Sequence, residues 1–154
     1  MELTPEQIER LRQSGLRLDG NGVFWHEGAP VTHRGLVAAF YRWLDRNPDG
    51  RYVLRLDDRR FVYLDVDDLP LAVRSLRWQG ERAIGVLSDG SEQEIDLSTL
   101  RLVGERAEVR VRKDLPARLA NPAWTTLGEH LSERDGELVL TVGAREFVVP
   151  RQPG

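Results

Sequence analysis

A turn-and-strand motif that occurs twice at a constant offset places the tightest constraint on what this chain can fold into. Asp49-Gly50 leads into Val53-Leu54 and then Phe61-Val62; Asp135-Gly136 leads into Val139-Leu140 and then Phe147-Val148. Each residue of the second set lies 86 positions after its counterpart, without a gap, and Arg59 and Arg145 match as well. Asp-Gly ahead of an apolar pair is turn followed by strand, because glycine reaches positive φ at no steric cost. The segments before the two turns carry a helical period instead. Leu36, Val37, Phe40, Tyr41 and Leu44 recur at spacings of three and four, with Trp43 widening the stripe, and Trp124, Leu127 and Leu131 do so more thinly. The expected architecture is α+β: two small lobes built on a repeated helix plus antiparallel β-hairpin unit, with a central β-meander.

In chain order, Thr4, Pro5 and Gln7 have the residue types of an N-cap, a first-turn proline and a capping-box partner, with Leu3 and Ile8 as a hydrophobic staple. A short helix is expected over about residues 5–13, stopped at Gly15. Asp19-Gly20, Asn21-Gly22 and Gly28-Ala29-Pro30 bracket a short strand at residues 23–26, which reads as a small hairpin with Trp25 packed on the next helix. Thr32 is the candidate N-cap of that helix, and Asn47-Pro48-Asp49-Gly50 ends it. Residues 52–56 and 61–66 alternate with a period of two and form a hairpin that closes at Asp67-Asp68-Leu69-Pro70. Residues 71–78, 83–87 and 92–97 make the meander. Ala107, Val109 and Val111 alternate with Glu108, Arg110 and Arg112, the pattern of a strand with one wet face. Asn121-Pro122 opens the last helix, Asp135-Gly136 closes it, and a final hairpin turns at Gly143-Ala144. A boundary at Pro70 gives an N-terminal α+β lobe over residues 1–70. Residues 71–154 form a C-terminal α+β lobe with the meander and the second helix-hairpin copy.

The totals exclude several function classes. A net charge of −3 and a pI near 5.7, with charges mixed in sign, make no field that draws phosphate backbones, so nucleic acid is not an expected partner. The absence of cysteine removes disulfides, thiolate metal sites, a thiol nucleophile and iron–sulfur chemistry together. No apolar run approaches the roughly 18 residues of a membrane span, and Met1 to Glu6 lacks the basic start of a signal peptide. A cytoplasmic location without membrane contact is expected. All basic residues except Lys113 are arginine, whose planar fork favours bidentate contacts.

Trp25-His26, Gly28 and Pro30-Val31, then Leu36-Val37 and Phe40, then Asp49-Gly50, Tyr52 and Leu54, then Val66-Asp67-Asp68 and Pro70 form an ordered set of short motifs. In order and spacing this set resembles a bacterial family known as domain of unknown function 1285. The resemblance covers most of residues 19–90 and extends more weakly to residues 122–131 and the hairpin after them. It implies a two-part α+β fold with repeated motifs and a role in bacterial signal transduction. It carries over no catalytic residue.

The search for chemistry gives no constellation of its own. His26 and His33, with Glu27, have ligand-type side chains but not the spacing of a standard metal site, and they read as strand-end and first-turn histidines. Asp57 and Asp58 sit at a hairpin tip, well over ~10 Å from Asp67 and Asp68 at its open end, so these carboxylates with Asp65 read as solvated turn residues. Gly20, Gly22 and Gly28 do not make a phosphate cradle, and Ser88 lacks a nucleophile elbow. His130 is expected to pair with Glu133 on the helix surface. No catalytic residue, metal or cofactor is assigned. The leading reading is a non-enzymatic regulatory or binding module for a small effector or protein partner. Its surface would join Trp25, His26, Tyr41, Trp43, Asp67 and Asp68. A hydrolase using His26, His33 and Asp67 is the alternative. A third reading is an oligomeric structural adaptor that pairs through the edge strand Arg145–Val149 as a homo-oligomer.

Overall fold

Residues 4–6 and 12–154 are described by a computed structural model. The N-terminal helix expected over residues 5–13, with its Leu3 and Ile8 staple, falls largely outside that range. The chain divides into two units, Met1–Pro70 and Leu71–Gly154.

In the first unit the elements are β1 (Gln13–Leu18), β2 (Phe24–His26), β3 (Ala29–Pro30), α1 (Arg34–Trp43), β4 (Leu44–Arg46), β5 (Tyr52–Arg55) and β6 (Phe61–Val66). They form one six-stranded sheet in the order β3-β2-β1-β6-β5-β4, antiparallel except where β1 runs parallel to β6. Residues directly opposite each other share a face, so the register sorts the side chains. Leu18 stands between Phe24 and Val66, and Leu54 between Leu44 and Val62, on one face. That face carries α1. Phe24, 1% exposed, sets its ring edge-on to Phe40 at 5.3 Å and to Tyr41 at 4.9 Å. The helix partner is thus Phe24, not Trp25, because alternation turns neighbouring side chains to opposite faces.

Other local expectations shift by a few residues, each for a packing reason. His33 caps α1 in place of Thr32: its Nδ1 accepts the Leu36 N–H at 3.1 Å. Leu36 is 41% exposed, and the buried helix positions are Ala39, Phe40 and Tyr41. Leu44 leaves the helical stripe altogether, since its backbone pairs with Leu54 as the first residue of β4. Strand β1 lies where the sequence indicated a helix end and a stop.

The second unit holds β7 (Leu71–Gln79), β8 (Arg82–Leu87), β9 (Glu92–Glu94), β10 (Arg101–Val103), β11 (Arg106–Val111), β12 (Leu115–Leu119), α2 (Asn121–Gly128), β13 (Leu131–Arg134), β14 (Glu137–Val142), β15 (Arg145–Val149) and β16 (Arg151–Gln152). The meander β7-β8-β9 belongs to a seven-stranded sheet, β16-β10-β11-β12-β7-β8-β9, in which β12 is parallel to β7. Leu71, Val73, Leu87, Val109, Leu115 and Ala117 are among its buried residues, and α2 packs on β7 and β12, with Ala123 and Leu127 buried. Gly85 is required here, because a Cβ would lie 2.8 Å from Ile95 Cδ1 and 3.0 Å from Val73 Cγ1. Glu108, expected on a wet face, is 2% exposed. Its neighbours across the ladder, Arg101 and Arg118, are both long cations.

α2 stops at Gly128, and Asp135-Gly136 is instead the two-residue turn between β13 and β14, both residues at positive φ (53° and 81°) as a type I′ hairpin requires. His130 lies against Trp78, ring centroids 4.6 Å apart, with Nδ1 3.2 Å from the Thr141 carbonyl, while Glu133 pairs with Arg151.

The α+β class stands, with sheet dominant, but the repeated helix-hairpin unit does not. At the constant offset Val53 and Val139 are counterparts, as are Val62 and Val148. Val139 stands opposite Val148, whereas Val53 stands opposite Tyr63, one residue out of step. Ahead of the turn the pairing does agree once one residue is allowed for the proline missing from the second turn: Leu44 stands opposite Leu54 and Leu131 opposite Leu140. A one-residue slip exchanges the faces of a pairing strand, so the two segments are not copies of one structural unit. Their surroundings differ too: β6 is interior to a six-stranded sheet, and β15 ends a three-stranded one, β13-β14-β15. Among the described residues no helix is long and apolar enough to cross a membrane.

Candidate binding face

The face of the first sheet turned away from α1 gathers the more unusual side chains. Arg17 on β1 stands between Trp25 on β2 and Asp65 on β6. Its guanidinium lies 5.3 Å from the Trp25 ring and pairs with Asp67. Asp67 is fixed in turn by its backbone N–H, which donates to the Leu18 carbonyl at 3.0 Å. The indole Nε1 of Trp25 donates to Asp19 Oδ2 at 2.8 Å, while Asp19 Oδ1 accepts the N–H groups of Asn21 at 2.9 Å and Val23 at 3.0 Å. Trp25 is half-buried, and the Arg17 and Asp67 side chains are each 43% exposed. Asp68 lies beside Gly20, where a Cβ would come within 3.8 Å of the Asp68 Cβ.

Asp19 is held below the usual carboxylate range, chiefly by the Trp25 indole hydrogen bond; burial opposes this, and the Val23 and Asn21 amides and Arg17 add to it. A carboxyl with a depressed folded pKa stabilises the fold above its unfolded pKa of about 3.9 and loses that contribution as pH falls through the folded value. Asp19→Asn is therefore expected to cost about 1 kcal/mol at neutral pH, where the charge-assisted bond is weakened but the backbone acceptor survives. In urea unfolding the difference from wild type should persist down to about pH 4 and shrink below it. A difference that stays constant at pH 3 would contradict the role assigned to the ionised carboxylate.

Of the six side chains singled out from the sequence, Trp25, Asp67 and Asp68 lie around the β1 end of this face. His26 points to the other side with Phe24 and is 54% exposed at the side chain, 4.0 Å from Glu27. Tyr41 is 5% exposed, and its hydroxyl donates to the Gly22 carbonyl at 2.8 Å, which ties α1 to the turn ahead of β2. Trp43 lies beside Phe40, 6.4 Å between centroids, on α1. The hydrolytic set is not assembled: His33 caps a helix and Asp67 binds Arg17, and among the described residues no three His, Asp or Glu side chains gather as a metal-ligand group. Asp57 accepts the N–H groups of Arg59 and Arg60 at the β5–β6 turn, and the Arg60 guanidinium is the main reason its carboxyl is held low. Arg17 and Asp19 escaped the sequence reading. Asp19 has the residue type of a turn, and Arg17 acquires meaning only once β1 is a strand beside Trp25.

Two further features lie elsewhere. Farther along the Trp25 face, Arg12 and Arg55 stack on Phe61 and Arg51 on Tyr63. In the second unit, Val148 on the edge strand β15 is 60% exposed beside a hollow of about 250 Å³ lined by Gly136, Glu137, Leu138, Val149, Pro150 and Arg151.

No protein-family model matches the sequence, and no curated protein matches it. Two crystal structures match the fold. A DUF1285 family protein from Silicibacter pomeroyi DSS-3 has a TM-score of 0.74 at 20% sequence identity, covering 89% of this chain and 80% of that one. A DUF1285 family protein from Shewanella baltica OS155 has a TM-score of 0.65 at 16% identity, covering 77% of this chain and 93% of that one. The chain therefore has the fold of DUF1285 family proteins, the family that its sequence motifs resemble.

Proposed function

We propose that the protein is a non-enzymatic binding module of the bacterial cytosol, which holds a small effector or a protein partner on the Trp25 face and acts in signal transduction. One observation carries the reading: a half-exposed tryptophan is immobilised at its edge by Asp19 and on one side by Arg17. An aromatic side chain ordered in advance loses little entropy on binding, and tryptophan and arginine are the side chains on which binding energy concentrates. Signal transduction is what the family resemblance implies.

A thermal-shift screen of metabolites, nucleotides and divalent metals on the wild type and on Trp25→Leu tests the reading. A ligand at about 100 times its Kd should stabilise the wild type by about 2.7 kcal/mol and leave Trp25→Leu unshifted. Ligands that shift both proteins equally would place the site elsewhere. A metal-dependent shift lost in His26→Ala and His33→Ala would favour the hydrolytic alternative.

A further inference from the structure

The three-stranded sheet of the second unit ends on an edge that is open to pairing. Of the strands that end a sheet, β15 is the longest, at five residues. Its register with β14 is regular, and it holds neither proline nor lysine, two of the devices by which an edge is blunted. Arg145, Glu146 and Val148 are exposed, Val148 at 60%. Both charges of the strand are already engaged, Glu146 with Arg134 at 2.8 Å and Arg145 with the Glu81 carbonyl at 2.6 Å.

Which backbone groups point outward follows from the pairing of β13, β14 and β15. In an antiparallel ladder, pairs that exchange two hydrogen bonds alternate with pairs that exchange none. The Thr141 N–H donates to the His130 carbonyl at 2.9 Å, away from β15, so Thr141 and its partner Glu146 exchange none. Alternation puts Val139 and Val148 in the same class. The N–H and C=O groups of Glu146 and Val148 therefore point away from β14, and none of them has a hydrogen-bond partner among the described residues.

We propose that β15 pairs antiparallel with β15 of a second copy of this chain, about a two-fold axis at Phe147, with Glu146 of each copy opposite Val148 of the other. In a two-fold contact, whenever residue i meets j, j also meets i, and only three registers bring the outward residues together. Glu146 opposite itself sets like charges face to face. Val148 opposite itself sets Glu146 against Pro150, which has no N–H and whose carbonyl already accepts from Leu102 at 2.8 Å. The register about Phe147 uses every outward group: each Glu146–Val148 pair exchanges two bonds, and the two Phe147 side chains meet across the axis in the closer, non-hydrogen-bonded position. The product is one continuous sheet with three strands from each copy. An unrelated extended segment would satisfy the same groups, but the two-fold match is a property of this strand against itself.

Sedimentation velocity of the full chain from about 1 μM to 1 mM should show monomer passing into dimer, a weak association because edge pairing buries less than a standard interface. Val148→Pro removes an outward donor from each copy but no hydrogen bond within the chain. It should weaken the dimer at least about tenfold with an unchanged circular dichroism spectrum. Val148→Glu keeps the backbone donor, sets a carboxylate opposite Glu146 and should weaken the dimer comparably; Val148→Lys should associate more tightly than Val148→Glu, by a margin that shrinks with salt. A chain that stays monomeric throughout, an assembly larger than a dimer, or a dimer that neither Val148→Pro nor Val148→Glu weakens would overturn the proposal. Trp25→Leu should leave the association unchanged, so this contact and the Trp25 face fail separately.

Discussion

Phe24→Ala is expected to cost about 3–5 kcal/mol, the largest effect of any single truncation in the first unit. Phe24 is 1% exposed and joins the sheet to the helix: it lies opposite Leu18 on β1 and presents its ring to Phe40 and Tyr41 on α1. Truncation removes the buried area, leaves a cavity that the paired backbones of β1 and β3 prevent from closing, and deletes two edge-to-face contacts of about 0.5–1.5 kcal/mol each. Phe24→Leu should recover more than half of the loss, because it restores volume but not the ring contacts. Urea unfolding followed by far-ultraviolet circular dichroism measures both. A loss below about 1 kcal/mol for the alanine variant would mean that α1 is not held through this ring.

Glu108→Ala should cost about 3 kcal/mol, for an electrostatic reason. The Glu108 side chain is 3% exposed; Oε1 accepts from Arg101 Nε at 2.7 Å, and Oε2 from Arg106 Nε at 3.1 Å. Removing the carboxylate leaves two guanidiniums facing each other without the anion between them. Breaking a buried ion pair costs about 3–5 kcal/mol, and the lower end applies because Arg101 and Arg106 are 31% and 34% exposed and can turn to water. Glu108→Gln keeps the shape and one acceptor and should cost about half as much. The replacement of Arg101, Arg106 and Glu108 together by apolar residues should be close to neutral, which separates an orphaned charge from lost packing. If the triple variant is as unstable as Glu108→Ala, packing is the cause.

Much of the local structure was legible. The Asp-Gly turns, the period-two segments on either side of them, the meander after Pro70 and the existence of α1 and α2 follow from backbone chemistry within windows of a few residues. So does the pairing of β14 with β15 around Gly143-Ala144. Trp25 and Asp67 could be named as candidates because they belong to the hairpin and the turn that flank the first helix-hairpin segment and have no counterpart in the second. Their link through Arg17 could not, because Asp67 lies 50 positions farther along the chain and meets Arg17 through a parallel pair that no local pattern announces.

The residue pattern decided which positions are apolar, where the chain turns and which way neighbouring strand side chains alternate, because these depend on φ/ψ preferences and on the period of each element. The tertiary structure decided the partners. It made β1 a central strand, drew Leu44 out of the helical stripe into β4, buried Glu108 between arginines and set the two similar hairpins one residue out of step. Each outcome depends on which distant backbone supplies hydrogen bonds and which distant charge compensates burial, and a periodicity within one segment carries no information about either.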